Sequence, residues 1–361
     1  MSLVSGTRLP FRDRWIVELR LGTLDAYLAL LLVRLPRLRR LSLGPVFFTE
    51  SELTGLVLRS GLDGHRSGWL GVDVGGCLRE LRTVLLIRSG QYHLARTNRN
   101  TESILPFFYL PSLEEIVVSM DNPLAPALPW PIVQRPVAAS LISLEISGGI
   151  RESHLGQLLA VMPCLRILRW TWRFDPDHED QYNNPVVDLD QLIPALLHVR
   201  ETLTELTILA ESYEPYFSHY PPPLRVQGSM IPLAGFHRLT KLFIPLDFFT
   251  GFSLPAREPV GRCLPYNLEE VTLADDLYID SDRNERWDEA GHTGTIVTWL
   301  ADMESLTPQL RKLCLVLQAC DGEISLDDLK VKVKIQNLAR LAGVEVTTLH
   351  VHEIGEMRLD P

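Results

Sequence analysis

LPRLRRLSLG, residues 35–44, places leucines at Leu38, Leu41 and Leu43, so the apolar spacing changes from three to two within one short segment. A helix would keep a spacing of three or four, and a strand would keep two. The mixture describes a turn whose leucine plugs inward, followed by a short strand with one buried face. The same step returns nine times. It recurs at Leu81/Val84/Leu86, Leu113/Ile116/Val118, Leu141/Leu144/Ile146 and Leu165/Leu168/Trp170. It continues at Leu203/Leu206/Ile208, Leu239/Leu242/Ile244, Leu268/Val271/Leu273, Leu310/Leu313/Leu315 and Val346/Leu349/Val351. Successive copies lie 24 to 43 residues apart, about 34 on average, which is the period range of repeat architectures.

Between the strand segments the pattern turns helical. Thr23–Val33 carries a helical stripe of Leu24, Tyr27, Leu28, Leu31 and Leu32, with Asp25 in its first turn. Ser153 can cap a helix through Val161, and Asp190 one over Gln191–Val199; Thr295–Met303 precedes the ninth strand. A further helix runs to Leu341, where Gly343 would end it. Helix, turn, strand and loop in fixed order require parallel strands joined by crossovers. The expected fold is therefore an α/β solenoid, with a parallel sheet on the inner face and helices and loops on the outer face. Residues 1–20 read as a lead-in, 21–355 as one solenoid of nine or ten irregular repeats, and 356–361 as a tail. The proline-rich stretch 123–136 reads as a loop excursion between the third and fourth strands.

Phrases such as LPRLRRLSLG, YLPSLEEIVVS and MPCLRILRW, preceded by GTLDAYLALLL, resemble leucine-rich repeats, and the irregular repeat lengths resemble those of divergent fungal proteins of the F-box/leucine-rich-repeat type. The resemblance covers roughly residues 15–355 and implies a substrate-recognition scaffold linked to ubiquitination. Two features depart from that family. The asparagine or cysteine usual three residues past each strand's last apolar position is missing (Val46, Ser89, Asp121, Gly149 and Arg173 stand there), and no F-box is visible. Ligase subunits would join as partners only if an F-box lies upstream or in a partner.

Composition narrows the function classes. The 361 residues are 46% hydrophobic and 22% charged, with a formal net charge of −10. An acidic chain is poorly suited to nucleic acid or to anionic membranes. The longest apolar run, Ala26–Val33, is far shorter than the roughly 20 residues of a spanning helix. Five cysteines without a CxxC, and no Asn-x-Ser/Thr acceptor, favour a reducing compartment, cytoplasm or nucleus.

No catalytic constellation is readable. Gly64–Gly68 lacks the spacing of a nucleophile elbow, and Gly71–Gly76 lacks that of a dinucleotide loop. The acidic runs from Asp175 and Asp280 fail as calcium loops at their glycine and glutamate positions. His350 and His352 alternate on the last strand without further ligands indicated. The expectations are accordingly no enzyme, no metal and no cofactor.

What remains is a binding surface for a folded protein. Outward positions of the strands carry interleaved charges and one large ring: Arg40, Glu115, Glu145, Arg169, Glu205, Lys241, Phe243, Glu270, Lys312 and His350. Such a face sets register with a complementary partner. Aromatics just past the strands, among them Phe47, Phe48, Trp172, Phe174, Tyr213, Tyr216, Phe217 and Phe248, read as loop-edge anchors. The alternatives are a self-associating structural module, or a hydrolase whose site is assembled from loops.

Overall fold

In a computed structural model, the described residues are 4, 9–35, 37–44, 52–63, 78–86, 100–176, 181–213, 224–252, 259–275, 277, 292–317 and 326–350. The fold is mixed α/β, built on an open parallel sheet of ten strands. Two compact units are present: residues 1–150 with 157–165, and 151–156 with 166–361.

The first unit holds β1 (Arg40–Leu43), β2 (Thr83–Leu86), β3 (Glu115–Met120) and β4 (Ser143–Gly148), paired in that order and all parallel. The second holds β5 (Ile167–Phe174), β7 (Glu205–Ser212), β9 (Lys241–Pro245), β10 (Glu270–Ala274), β11 (Lys312–Leu317) and β12 (Glu345–His350), again parallel neighbours in that order. It also contains a two-stranded sheet absent from the sequence reading, β6 (Val186–Asp188) beside β8 (Arg225–Gln227).

The spacing change at Leu38–Leu43 has its expected cause. The backbone N–H of each leading leucine closes a tight turn onto the carbonyl three residues back, at Leu38, Leu81, Leu113, Leu141, Leu165, Leu239, Leu268 and Leu310, over 3.0–3.5 Å. Leu203 reaches one residue further, to Val199. The two following apolar residues alternate inward. In register, Val84, Ile116 and Leu144 stand side by side in the first unit, and Leu168, Leu206, Leu242, Val271 and Leu313 in the second. All of them are buried, each contributing roughly 1.5–3 kcal/mol.

A second feature recurs at the entry to each strand. One carbonyl accepts two successive N–H groups from the following repeat: Arg39 from Arg82 and Thr83, Arg82 from Glu114 and Glu115, Glu114 from Ile142 and Ser143. Arg166, Thr204, Thr240 and Glu269 repeat the arrangement in the second unit, at 2.8–3.1 Å throughout. The main chain thereby performs the stitching that asparagine was expected to leave undone. One asparagine rung does exist, a residue away from the predicted position: Asn122 donates through Nδ2 to the Gly149 carbonyl. Nearby, Gly148 ends β4 at φ +101°, where a Cβ would lie 2.6 Å from the Met120 carbonyl oxygen, so only glycine closes this step.

Helices cover the buried face close to the expected places at Leu24–Arg34, Glu152–Leu159, Leu189–Leu197, His292–Ala301 and Leu326–Leu341, and a further one, Glu52–Asp63, stands where the sequence reading has none. The lead-in is itself helical from Arg12 to Leu21, and it buries Trp15, whose Nε1 donates to the Ala26 carbonyl at 3.0 Å. Asp188, not Asp190, caps Leu189–Leu197, its Oδ1 accepting from the Gln191 N–H at 3.1 Å. The cap sits earlier because β6 delivers the chain at Asp188. The stretch 123–136 forms neither helix nor strand. It is pinned by Gln157, which donates to the Pro126 carbonyl and accepts from the Leu128 N–H.

Asp25 holds Glu52–Asp63 from a different helix. Its buried carboxylate accepts from the Leu53 and Thr54 N–H groups at 2.6 and 2.9 Å, and from Thr54 Oγ1 at 2.5 Å. Those amides are unsatisfied donors of a helix N-terminus. Asp25→Ala should cost about 1–2 kcal/mol, the upper range of a lost cap, measured by urea denaturation. Burial raises the Asp25 pKa despite these bonds. Between its ordinary and its raised value the folded chain holds a proton that the unfolded chain releases, so this group's contribution to stability falls as pH rises through that window. Asp25→Asn should remove that slope.

Candidate functional site

The sheet face opposite the core carries its long charged row in the second unit. Its first outward row runs Glu205, Lys241, Glu270, Lys312 and Glu345, each the register partner of the next. The sign of the charge alternates at every strand. Lys241 Nζ lies 3.7 Å from Glu205 Oε1, and Lys312 Nζ lies 3.6 Å from Glu270 Oε1, with all four side chains partly exposed. Pairs this exposed contribute only about 0–1 kcal/mol to stability, so the row is free to exchange partners at little cost. The next row is nearly uncharged: Arg169, Thr207, Phe243, Thr272, Cys314 and Thr347. Phe243, Cys314 and Leu349 pack around buried Ala274 and Val316, giving an apolar step beside the charged one. In the first unit the corresponding rows hold Arg40, Thr83, Glu115 and Ser143, then Ser42, Leu85, Val117 and Glu145.

The ten residues read as outward positions all lie on strands of the sheet, and nine of them occupy the outward face. His350 does not. Glu345 pairs with Lys312 and Val346 with Leu313, so the last repeat is displaced by three residues from its sequence reading. Glu345, Thr347 and Leu349 are the outward set, while His350 shares register parity with inward Val346 and Thr348. Val346 imitates a leading leucine in sequence; the turn preceding β12 is made instead by Ala342 and Gly343, whose N–H groups bond to Leu338 and Arg340.

The aromatic edge is corrected more sharply. Trp172 and Phe174 belong to β5, not to a loop beyond it, and both are buried. Leu168, Trp170, Trp172 and Phe174 form one period-two series on the core face. Phe248 is buried in the short helix Asp247–Thr250. Tyr213 is half-buried: Arg173 sits 4.5 Å from its ring centroid, and its hydroxyl donates to Glu211 Oε2 at 3.0 Å. Burial and the Glu211 charge push its phenol up to about 12. Phe47, Phe48, Tyr216, Phe217 and His352 lie outside the described residues.

One polar pocket of the second unit escaped sequence reasoning. A cavity of about 260 Å³ is lined by Arg151, Glu152, Tyr182, Asn184, Gln191 and Gln227, among others. Its floor is an ion pair, Arg151 Nε to Glu152 Oε2 at 3.1 Å, with both side chains 4% exposed. The guanidinium also donates to the carbonyls of Asn184 (2.9 Å) and Val186 (2.6 Å) and lies 5.0 Å from the centroid of the Trp172 ring. Glu152 Oε1 accepts from Trp172 Nε1 at 3.1 Å and from the Asp188 N–H at 3.3 Å. Arg151 therefore anchors β6 rather than presenting a charge to a ligand. The adjacent pair Arg151-Glu152 gave no sequence signal of burial, because adjacent opposite charges are usually solvated.

Metal-ligating groups also converge where none was expected. Asp247, Asp275 and His292, all buried, offer ligand atoms within 4.8 Å of one another. Among the described residues no helix is long and apolar enough to cross a membrane.

No protein-family model matches the chain, and no curated protein matches it in sequence. The class defined by the coordinates is a mixed α/β protein on a large open parallel sheet.

Proposed function

We propose that the chain is a non-catalytic protein-interaction scaffold, a leucine-rich-repeat-like solenoid that docks a folded protein on the outward face of its sheet. The observation that supports this most is the alternating row Glu205-Lys241-Glu270-Lys312-Glu345 beside the apolar step at Phe243. Alternating charge rejects misregistered partners, and an aromatic residue surrounded by polar ones is the usual form of an interface anchor. Nucleic acid would call for a one-signed surface. The proposed location is the cytoplasm or nucleus; among the described residues no disulfide joins Cys164, Cys263 and Cys314. The resemblance to F-box-type proteins extends the reading to recognition of ubiquitination substrates.

A second reading has a specific observation behind it. A row of alternating sign is complementary to an inverted copy of itself displaced by one strand, so the same face suits self-association.

Affinity capture with the full chain, quantified against Phe243→Asp and the double variant Lys241→Glu/Lys312→Glu, tests the surface. The captured partner should fall at least tenfold for each, with melting temperature within about 2 °C of the parent, as expected for surface changes. Undiminished capture by both variants rejects this face. Ligase subunits among the captured proteins support the ubiquitination extension, and mass determination by light scattering separates a self-associated form from a monomer.

A further inference from the structure

We infer that Asp247, Asp275 and His292 form a binding site for one divalent first-row transition ion, zinc or manganese, which staples the ends of β9 and β10 to the helix His292–Ala301. The three residues come from three elements. Asp247 follows β9 and opens the short helix Asp247–Thr250; Asp275 directly follows β10; His292 begins the helix His292–Ala301. β9 and β10 are parallel neighbours with Pro245 opposite Ala274, so their ends deliver the two carboxylates side by side. Backbone bonds fix both exits: the Leu246 N–H donates to the Ala274 carbonyl at 2.8 Å, and the Asp275 N–H to the Val316 carbonyl at 2.9 Å.

Burial makes this grouping chemically specific. The relative exposures are 0% for Asp247, 2% for Asp275 and 3% for His292. Buried charges are normally paired or coordinated to a metal. The two carboxylates and a neutral imidazole carry a formal charge of −2 between them, and −1 with the imidazole protonated. A divalent cation brings the three-ligand set to neutrality with the imidazole in its ligating, unprotonated form.

Distances agree with an ion-sized gap. His292 Nε2 and Asp247 Oδ1 are 3.7 Å apart, and all three ligand atoms fall within 4.8 Å. Tetrahedral ligands at bond lengths of about 2.0–2.1 Å stand roughly 3.3 Å apart, so side-chain rotations of an ångström or less would complete the geometry. Two carboxylate oxygens with one imidazole nitrogen suit zinc or manganese; calcium and magnesium favour all-oxygen sets. Three protein ligands leave at least one position for water. The three side chains are buried, so the site is no part of the exposed docking row.

The test uses the full chain stripped with EDTA and then titrated with zinc, manganese, magnesium or calcium chloride. Zinc or manganese should bind at one ion per chain and raise the melting temperature by roughly 5–10 °C at a hundredfold excess over Kd. Asp275→Asn and His292→Gln should each abolish the rise. A rise that survives both substitutions, or an equal response to magnesium or calcium, overturns the assignment. Should either variant fail to fold, the parent chain with its cysteines alkylated decides the matter. One-to-one cobalt binding, with a visible spectrum free of thiolate charge transfer, upholds the site, and absence of cobalt binding refutes it.

Discussion

Leu206→Asp should lower the melting temperature by about 10–20 °C, the largest loss expected from a single substitution. Leu206 is 1% exposed and stands in register between Leu168 and Leu242, themselves buried. Replacing it removes roughly 2–5 kcal/mol of packing. It also sets an unpaired carboxyl among aliphatic neighbours, a further cost of order 1–3 kcal/mol even when the group is protonated. At about 2–4 °C per kcal/mol, the combined loss of roughly 3–8 kcal/mol brackets the stated range. Leu144→Asp in the first unit should behave alike, since Leu144 is fully buried beside Ile116. Glu205→Ala, one residue away on the opposite face, gives up only an exposed pair and should stay within about 0.5 kcal/mol. Calorimetry of the three variants separates burial from strand propensity; equal shifts for Leu206→Asp and Glu205→Ala would contradict the assignment of faces.

The second large effect is expected at Arg151. Its guanidinium neutralises Glu152 and holds two carbonyls next to β6, so Arg151→Ala strands a buried carboxylate. Breaking a buried pair in this way costs about 3–5 kcal/mol. Glu152→Gln also breaks the pair but should fall at the low end of that range, because the amide oxygen still accepts from Trp172 Nε1 and the Asp188 N–H and the guanidinium keeps the Asn184 and Val186 carbonyls. Replacing both charges by apolar residues should not restore stability, since those two donors would then lack an acceptor. The ordering Arg151→Ala worse than Glu152→Gln, read from urea midpoints, is the decisive comparison. Raising salt should leave it unchanged, because a buried pair is little screened.

The fold was largely legible because its signal is local and repeated. Turn, inward leucine and two alternating apolar residues lie within six positions, and hydrophobic burial enforces the same step wherever it occurs. Reading failed where local identity and register part company. Val346 has the apolar character of a leading leucine, yet pairing with β11 places it one step later. Trp172 and Phe174 read as loop aromatics if the strand is taken to end at Trp170; the period-two series through Phe174 is the available clue. Asp247, Asp275 and His292 had no local signature at all. They lie far apart in sequence, and only the pairing of β9 with β10 makes the first two neighbours. The charged row was legible residue by residue, but its alternation depends on register, which spacing alone does not fix.

The shared carbonyls at the strand entries bear on how such a chain can change over time. A seam made of peptide groups asks nothing of the side chains that happen to sit there, and Arg39, Thr204 and Glu269 fill the same role with unlike chemistry. Lineages can therefore rewrite these positions, and lengthen or shorten the connections between them, while the joints hold. What heredity must keep is a rhythm of oily residues rather than a set of letters.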